Sequence, residues 1–304
     1  MGSIVATGTL SGQIWRDDKR QFLDHVRWKA IGKGFVRYKK FLIFETWAGL
    51  LNSISWQLPA LMLSSFFSIS IVGFYALGLA IVKAPLAFIS GALSQVFYQR
   101  ACHNKNVEKG NKELVENLMD KLMFIAILPT IILAIIGEDL FAVLFGDRWT
   151  EAGRYTQILS PWIFFWFVSS PLSSLFAVYE RQGTALLLQC LIFSTRLISL
   201  YIGGIQQNIH LALGLFSLTG VVAYGAYAML NIKLAKASGL IILKLFIKHV
   251  VYSLPFGACL MYSKYVIQLG HLKILSIALA LIMIYVFLNR RRYLSLLPQG
   301  LISK

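Results

Sequence analysis

Lys83 and Arg196 each fall inside a long apolar stretch of the 304-residue sequence. An ammonium or guanidinium near the centre of a bilayer costs roughly 2.5 to 3.5 kcal/mol, so each must face protein, water or a counter-ion rather than acyl chains. Steps of helical period from Lys83 reach Ala76, Ala80, Ala87, Ser90 and Ser94, a small and hydroxylic stripe. That stripe lines a cavity, or else it is a packing face along which Lys83 snorkels. Gln189, Ser199 and Gly203 share the helical phase of Arg196. The planar fork of arginine matches phosphate oxygens and keeps its charge when buried, so it suits a phosphate-bearing ligand; the alternative is a guanidinium tied to carbonyls of a broken helix.

A third polar face carries Glu45, Asn52, then Ser55 or Trp56, ending at Pro59, with Gln57 beside it. Glu45 lies about one turn from the start of its stretch. It is a candidate for coupling transport to an ion, or a solvated residue that favours the helix dipole. Lys83, Arg196, Asn52, Gln57, Gln189 and Ser90 form the candidate substrate-binding set. Two cations and almost no acid in the spans favour an anionic cargo, since a carrier of organic cations would place carboxylates there. No nucleophile elbow, phosphate-binding glycine loop or metal-ligand spacing occurs, so no catalytic residue, cofactor or metal is implied. Cys102, Cys190 and Cys259 are far apart and are read as small apolar fillers; the five histidines make no H-x-x-x-H pair.

The elements that must position these residues are membrane helices. The chain is 57% hydrophobic and 14% charged, with a mean hydropathy of +0.68, too apolar for an ordinary soluble domain. Runs long enough to cross hydrocarbon predict an all-α, polytopic bundle of about eight spans. They are placed near 41–66, 71–97, 118–136, 155–178, 184–203, 210–232, 249–267 and 274–288. Pro85, Pro129, Pro161 and Pro171 fall within them and permit kinks.

The formal charge of +16 follows membrane sidedness and implies no nucleic-acid partner. One side holds nine Lys and Arg in 16–40, five in 100–121, Arg181, four in 233–248 and four in 290–304. The other holds Arg148, Arg154, Lys264 and Lys273, with Glu138, Asp139, Asp147 and Glu151. That bias of 23 to 4 predicts cytoplasmic termini. Met1 to Trp15 is too short to span and reads as the stub of a further helix or an interfacial anchor. Arg16 to Lys40 reads as an amphipathic segment on an anionic leaflet, or a solvated linker. The expected organisation is 1–40 as this N-terminal segment, 41–239 as a six-helix lobe, and 240–304 as two added helices with a basic tail.

Several stretches resemble the Wzx-type flippases of the multidrug/oligosaccharidyl-lipid/polysaccharide exporter superfamily. They are N-S-I-S-W-Q-L-P-A-L from Asn52, V-G-F-Y-A-L from Val72, Ala84-Pro85, G-A-L-S-Q-V-F-Y from Gly91 and L-F-G-D-R-W-T-E-A-G from Leu144. The resemblance implies the C-terminal lobe of a two-lobed flippase. It also implies a polyprenyl-diphosphate-linked oligosaccharide as cargo, with Lys83 and Arg196 on the diphosphate. The last two helices would hold the lipid tail. It implies a bacterial inner-membrane location, a role in O-antigen, capsule or exopolysaccharide synthesis, and polymerase and glycosyltransferase neighbours. The match begins at the family's seventh helix, so the expected partner is a separate N-terminal half or a second copy. A multidrug exporter of the superfamily and a non-transporting scaffold of a polysaccharide assembly complex are the alternatives.

Overall fold

The computed structural model describes Thr9 and residues 28–105, 110–290 and 292, with the backbone alone over 28–42. Apart from Thr9, the stub expected over 1–15 lies outside the described residues, as do residues 16–27 of the basic segment and most of the C-terminal tail; 28–40 of the basic segment is helical. Among the described residues nine α-helices follow in order: α1 Trp28–Phe66, α2 Ile69–Asn104, α3 Lys112–Phe145, α4 Thr150–Ser169, α5 Ser174–Val178, α6 Gln182–Ile205, α7 Ile209–Leu234, α8 Gly239–Met261 and α9 His271–Leu288. Short 3-10 turns at Asp147–Trp149 and Ser170–Ser173 flank α4, and a π-helical turn at Tyr262–Val266 extends α8. Among the described residues there is no strand.

Among the described residues seven segments are long and apolar enough to cross a membrane: α2, α3, the run Asp147–Val178, α6, α7, the run Gly239–Val266, and α9. The eighth expected span, inside α1, is not among them; Asn52, Ser53, Ser55 and Gln57 dilute its apolar run. The segment expected to start at His249 starts instead at Gly239. Lys244 and Lys248 are exposed on one side of this helix, while Ile242 and His249 are buried on another, so the lysines do not end it. Pro171 lies at the start of a 3-10 turn, whereas Pro59 and Pro255 sit inside helices.

The chain divides into a compact unit of Met1–Trp47 and a second of Ala48–Lys304. Helix α1 runs through the first, where Glu45 is exposed. In the second, α4 is central: α3, α7 and α2 pack on it, α6 packs on α7, and α8 and α9 pack on α3. Close approach explains these pairings. A side chain at Gly137 would meet Gln157 Cγ at 2.6 Å and the Gly153 carbonyl at 2.8 Å, and one at Gly153 would strike the backbone of Gly137 and Glu138. At Gly203 it would strike Ala212, which fixes the α6–α7 crossing. Trp162 and Phe167 of α4 are fully buried in the apolar interior. Asn208 and Ser238 accept from Leu211 N at 3.0 Å and Ile241 N at 3.4 Å, capping α7 and α8. The three cysteines are exposed rather than interior fillers.

Candidate functional site

The two cations singled out by sequence meet at one indole. Lys83 Nζ lies 3.4 Å from the ring centroid of Trp56 and 5.8 Å from that of Trp166. On the same indole, Arg196 Cζ lies 5.0 Å from the centroid. Rings of Trp162, Phe216 and Tyr224 surround the guanidinium at 5.4, 5.4 and 5.9 Å. Each such contact contributes roughly 0.5 to 2 kcal/mol, more where water is excluded, which offsets part of the cost of burying charge.

Arg196 is 2% exposed. Its NH1 donates to the Ser55 carbonyl at 3.0 Å and to Ser55 Oγ at 2.9 Å, and its NH2 to the Tyr224 hydroxyl at 3.1 Å. The choice of Ser55 has a covalent origin. Pro59 lacks an N–H, so the carbonyl four residues earlier in α1, that of Ser55, loses its helical donor. An orphan carbonyl at a fully buried residue costs about 1 to 3 kcal/mol, and Arg196 supplies the missing donor. The guanidinium therefore joins α1, α6 and α7, which is the carbonyl-tied arrangement foreseen as the alternative to phosphate binding. Its Nε has no hydrogen-bond partner among the described residues. Ser160 does a similar service in α4, donating at 2.8 Å to the Gln157 carbonyl that Pro161 leaves free.

Lys83 differs. It is half-buried at mid-height of α2, with no hydrogen-bond acceptor or carboxylate within reach among the described residues. Helix α2 buries only Tyr75, Gly78, Ser90, Phe97 and Ala101. Of the small stripe, Ala76, Ala80 and Ala87 are exposed, while Ser90 is buried two turns from Lys83. Gln189 Nε2 reaches Asn52 Oδ1 at 3.5 Å, joining α6 to α1, and Gln57 is exposed on α1. The structure thus gathers Lys83 and Arg196 at Trp56 and pairs Asn52 with Gln189.

Sequence reasoning passed over two further charged groups. At the end of α3 where Glu138 and Asp139 lie, Lys264 Nζ donates to Glu138 Oε1 at 2.7 Å and to the Ile135 carbonyl at 2.9 Å, and forms an ion pair with Asp139 Oδ2 at 2.7 Å. His271 Nδ1 is 2.6 Å from Asp139 Oδ1, and Arg154 bridges Glu138 at 2.9 Å and Glu151 at 2.8 Å. Non-helical angles at Ile136 break the α3 ladder beside this cluster, and Gln157 also donates to the Ile135 carbonyl, at 2.8 Å. Toward the other end of α3, Asp120 accepts from Arg292 and lies 2.9 Å from His249 Nε2. Asp120 falls inside the third expected span, so Glu45 is not alone as an acid within the spans.

Two neighbouring apolar hollows of about 470 and 590 Å³ lie along α8. They share Phe164, Phe165 and Phe246, and Lys233 lines the second. Met229, Leu243, Leu254 and Met261 on their walls are exposed, so the groove opens sideways.

With seven apolar crossings and this cationic centre in place, comparison with known proteins is informative. Residues 20–154 match the polysaccharide biosynthesis protein family. Among solved structures the chain is similar to the lipid II flippase MurJ in an inward closed conformation, with a TM-score of 0.62 and 12% identity. The match covers 88% of this chain and 57% of that one, so the chain spans a little over half the length of the flippase it resembles. At that identity the likeness is one of fold: a multi-pass helical membrane protein built like part of a flippase. No curated protein matches.

Proposed function

We propose that this chain is one lobe of a transporter that carries a polyprenyl-diphosphate-linked oligosaccharide across the bacterial inner membrane for O-antigen, capsule or exopolysaccharide synthesis. Lys83 carries the reading. Its ammonium sits in mid-helix on a weakly buried α2, and its described partners are π faces. A diphosphate offers it charge-assisted bonds that the protein does not. Asn52, Gln57 and Gln189 supply amides suited to sugar hydroxyls, and Ser90 lies on the same helix as Lys83. The lipid tail takes the apolar groove along α8, with Lys233 at its wall. Arg196 acts from behind this surface. The lysine and arginine bias favours cytoplasmic termini. A second lobe completes the cavity, and polymerase and glycosyltransferases act on either side of the step. Glu45 is the coupling candidate on α1.

The test is made in cells whose surface polysaccharide depends on the chain together with its second lobe. Lys83→Ala is expected to deplete surface polymer and to leave lipid-linked repeat units on the cytoplasmic face, while Lys83→Arg retains transport. An ionic hydrogen bond is worth roughly 1.5 to 3 kcal/mol, so the loss should be about tenfold or more. Wild-type polymer from Lys83→Ala overturns the diphosphate role. Unimpaired flipping in cells lacking the chain, with a polymerase copurifying, would instead identify a scaffold, and altered resistance to cationic dyes a multidrug exporter.

A further inference from the structure

The guanidinium of Arg196 and the ammonium of Lys83 share the Trp56 indole, yet only the guanidinium is bonded to the α1 backbone. The bonded carbonyl belongs to Ser55, the residue immediately before Trp56, and it is the one that Pro59 deprives of its helical donor. Without a substitute donor, the turn carrying Trp56 loses the bond that sets its direction. Trp162 and Trp166, at 5.8 and 5.4 Å from the same indole, define its sides but supply no directional bond.

We propose that Arg196 is a positioning residue: it takes the carbonyl left free by Pro59 and so fixes the Trp56 indole as the seat on which the Lys83 ammonium rests until an anionic headgroup draws it away. This rests on the flippase reading for the headgroup, while the link between Arg196, Pro59 and Lys83 stands on the geometry. A headgroup ligand would need free donors on a surface; both terminal nitrogens of Arg196 already bond protein oxygens, and the remaining Nε is itself buried. Lys83 has three donors and no acceptor among the described residues.

The proline makes the inference testable by rescue. The full chain is reconstituted in lipid nanodiscs, and Lys83 acetylation by an amine-reactive reagent is timed by peptide mass spectrometry. Arg196→Met is expected to speed acetylation of Lys83 about tenfold, the scale of a lost cation–indole contact and a lost buried bond. Adding Pro59→Ala restores an N–H for the Ser55 carbonyl and should bring the rate back to within about threefold of wild type. Arg196→Lys, which keeps the charge without the planar fork, should give an intermediate rate and serves if Arg196→Met does not fold. An unchanged rate in both Arg196 variants, or no restoration by Pro59→Ala, overturns the assignment. Inorganic pyrophosphate is added in a separate arm. Failure to alter Lys83 acetylation in the wild type counts against the headgroup reading and leaves the rates that test Arg196 as they are.

Discussion

At the scale of single residues, the centre of this protein is an indole serving two cations. Trp56 carries Lys83 at 3.4 Å and Arg196 at 5.0 Å, and contacts of this kind are worth up to about 2 kcal/mol each when dry. Trp56→Leu is therefore expected to lower stability by about 2 to 4 kcal/mol, read as a lower thermal unfolding midpoint in detergent. Trp56→Phe, which keeps a π face, should retain at least half of it. Both cations could be picked out from the sequence, because charge inside an apolar run is conspicuous. Their meeting could not, since Ser55 and Arg196 are 141 positions apart. One signal was available: a proline at 59 announces a free carbonyl at 55, and a buried arginine is a donor in search of one. Asp120 was overlooked because its partners His249 and Arg292 lie 129 and 172 positions away.

Among the elements, α3 ties the central α4 to α8 and α9, and its break at Ile136 is stapled by Lys264. Removing that ammonium leaves the Ile135 carbonyl without one donor and two carboxylates short of a cation, with only Arg154 on Glu138 and His271 on Asp139. Lys264→Met should cost about 3 kcal/mol, whereas Lys264→Arg should cost much less, and thermal melts of the purified protein distinguish them. The α3–α4 seam depends on Gly137 and Gly153. Gly153→Val forces the helices apart and is expected to destabilise by about 3 kcal/mol or prevent recovery of a monodisperse protein; the exposed Gly91, with open space around it, should accept the same change within about 0.5 kcal/mol. Apolar run length predicted seven of the crossings well. It misplaced the start of α8 because lysines that end a run on paper can line one exposed face of a continuing helix. It overrated the apolarity of α1, whose polar residues are the ones that meet Arg196 and Gln189.

For the molecule as a whole, the alternation of basic and poorly basic connections predicts a sidedness that native cysteine can report. Cys102 is exposed near the end of α2 that leads into the basic 105–112 connection. With Cys190 and Cys259 changed to serine, a membrane-impermeant maleimide should label Cys102 in inside-out vesicles and leave it untouched in intact spheroplasts; labelling from outside would reverse the orientation. Sequence sufficed for the class of architecture because solvent chemistry, lipid against water, is written in run length and charge. Which helices touch depends on glycine contacts and long-range bonds that no local pattern encodes.

Under the proposed flippase role, the sideways opening of the α8 groove bears on the energetics of carriage. A tail lodged against Phe246, Val250 and Leu254 exchanges one hydrocarbon neighbour for another, so its methylenes need not be wetted as the sugar crosses. With each methylene worth about 0.8 kcal/mol in water, a closed aqueous conduit would penalise every added isoprene unit. In that role an open flank would make the work of crossing nearly indifferent to chain length, and discrimination among cargoes would fall to the polar end of the molecule.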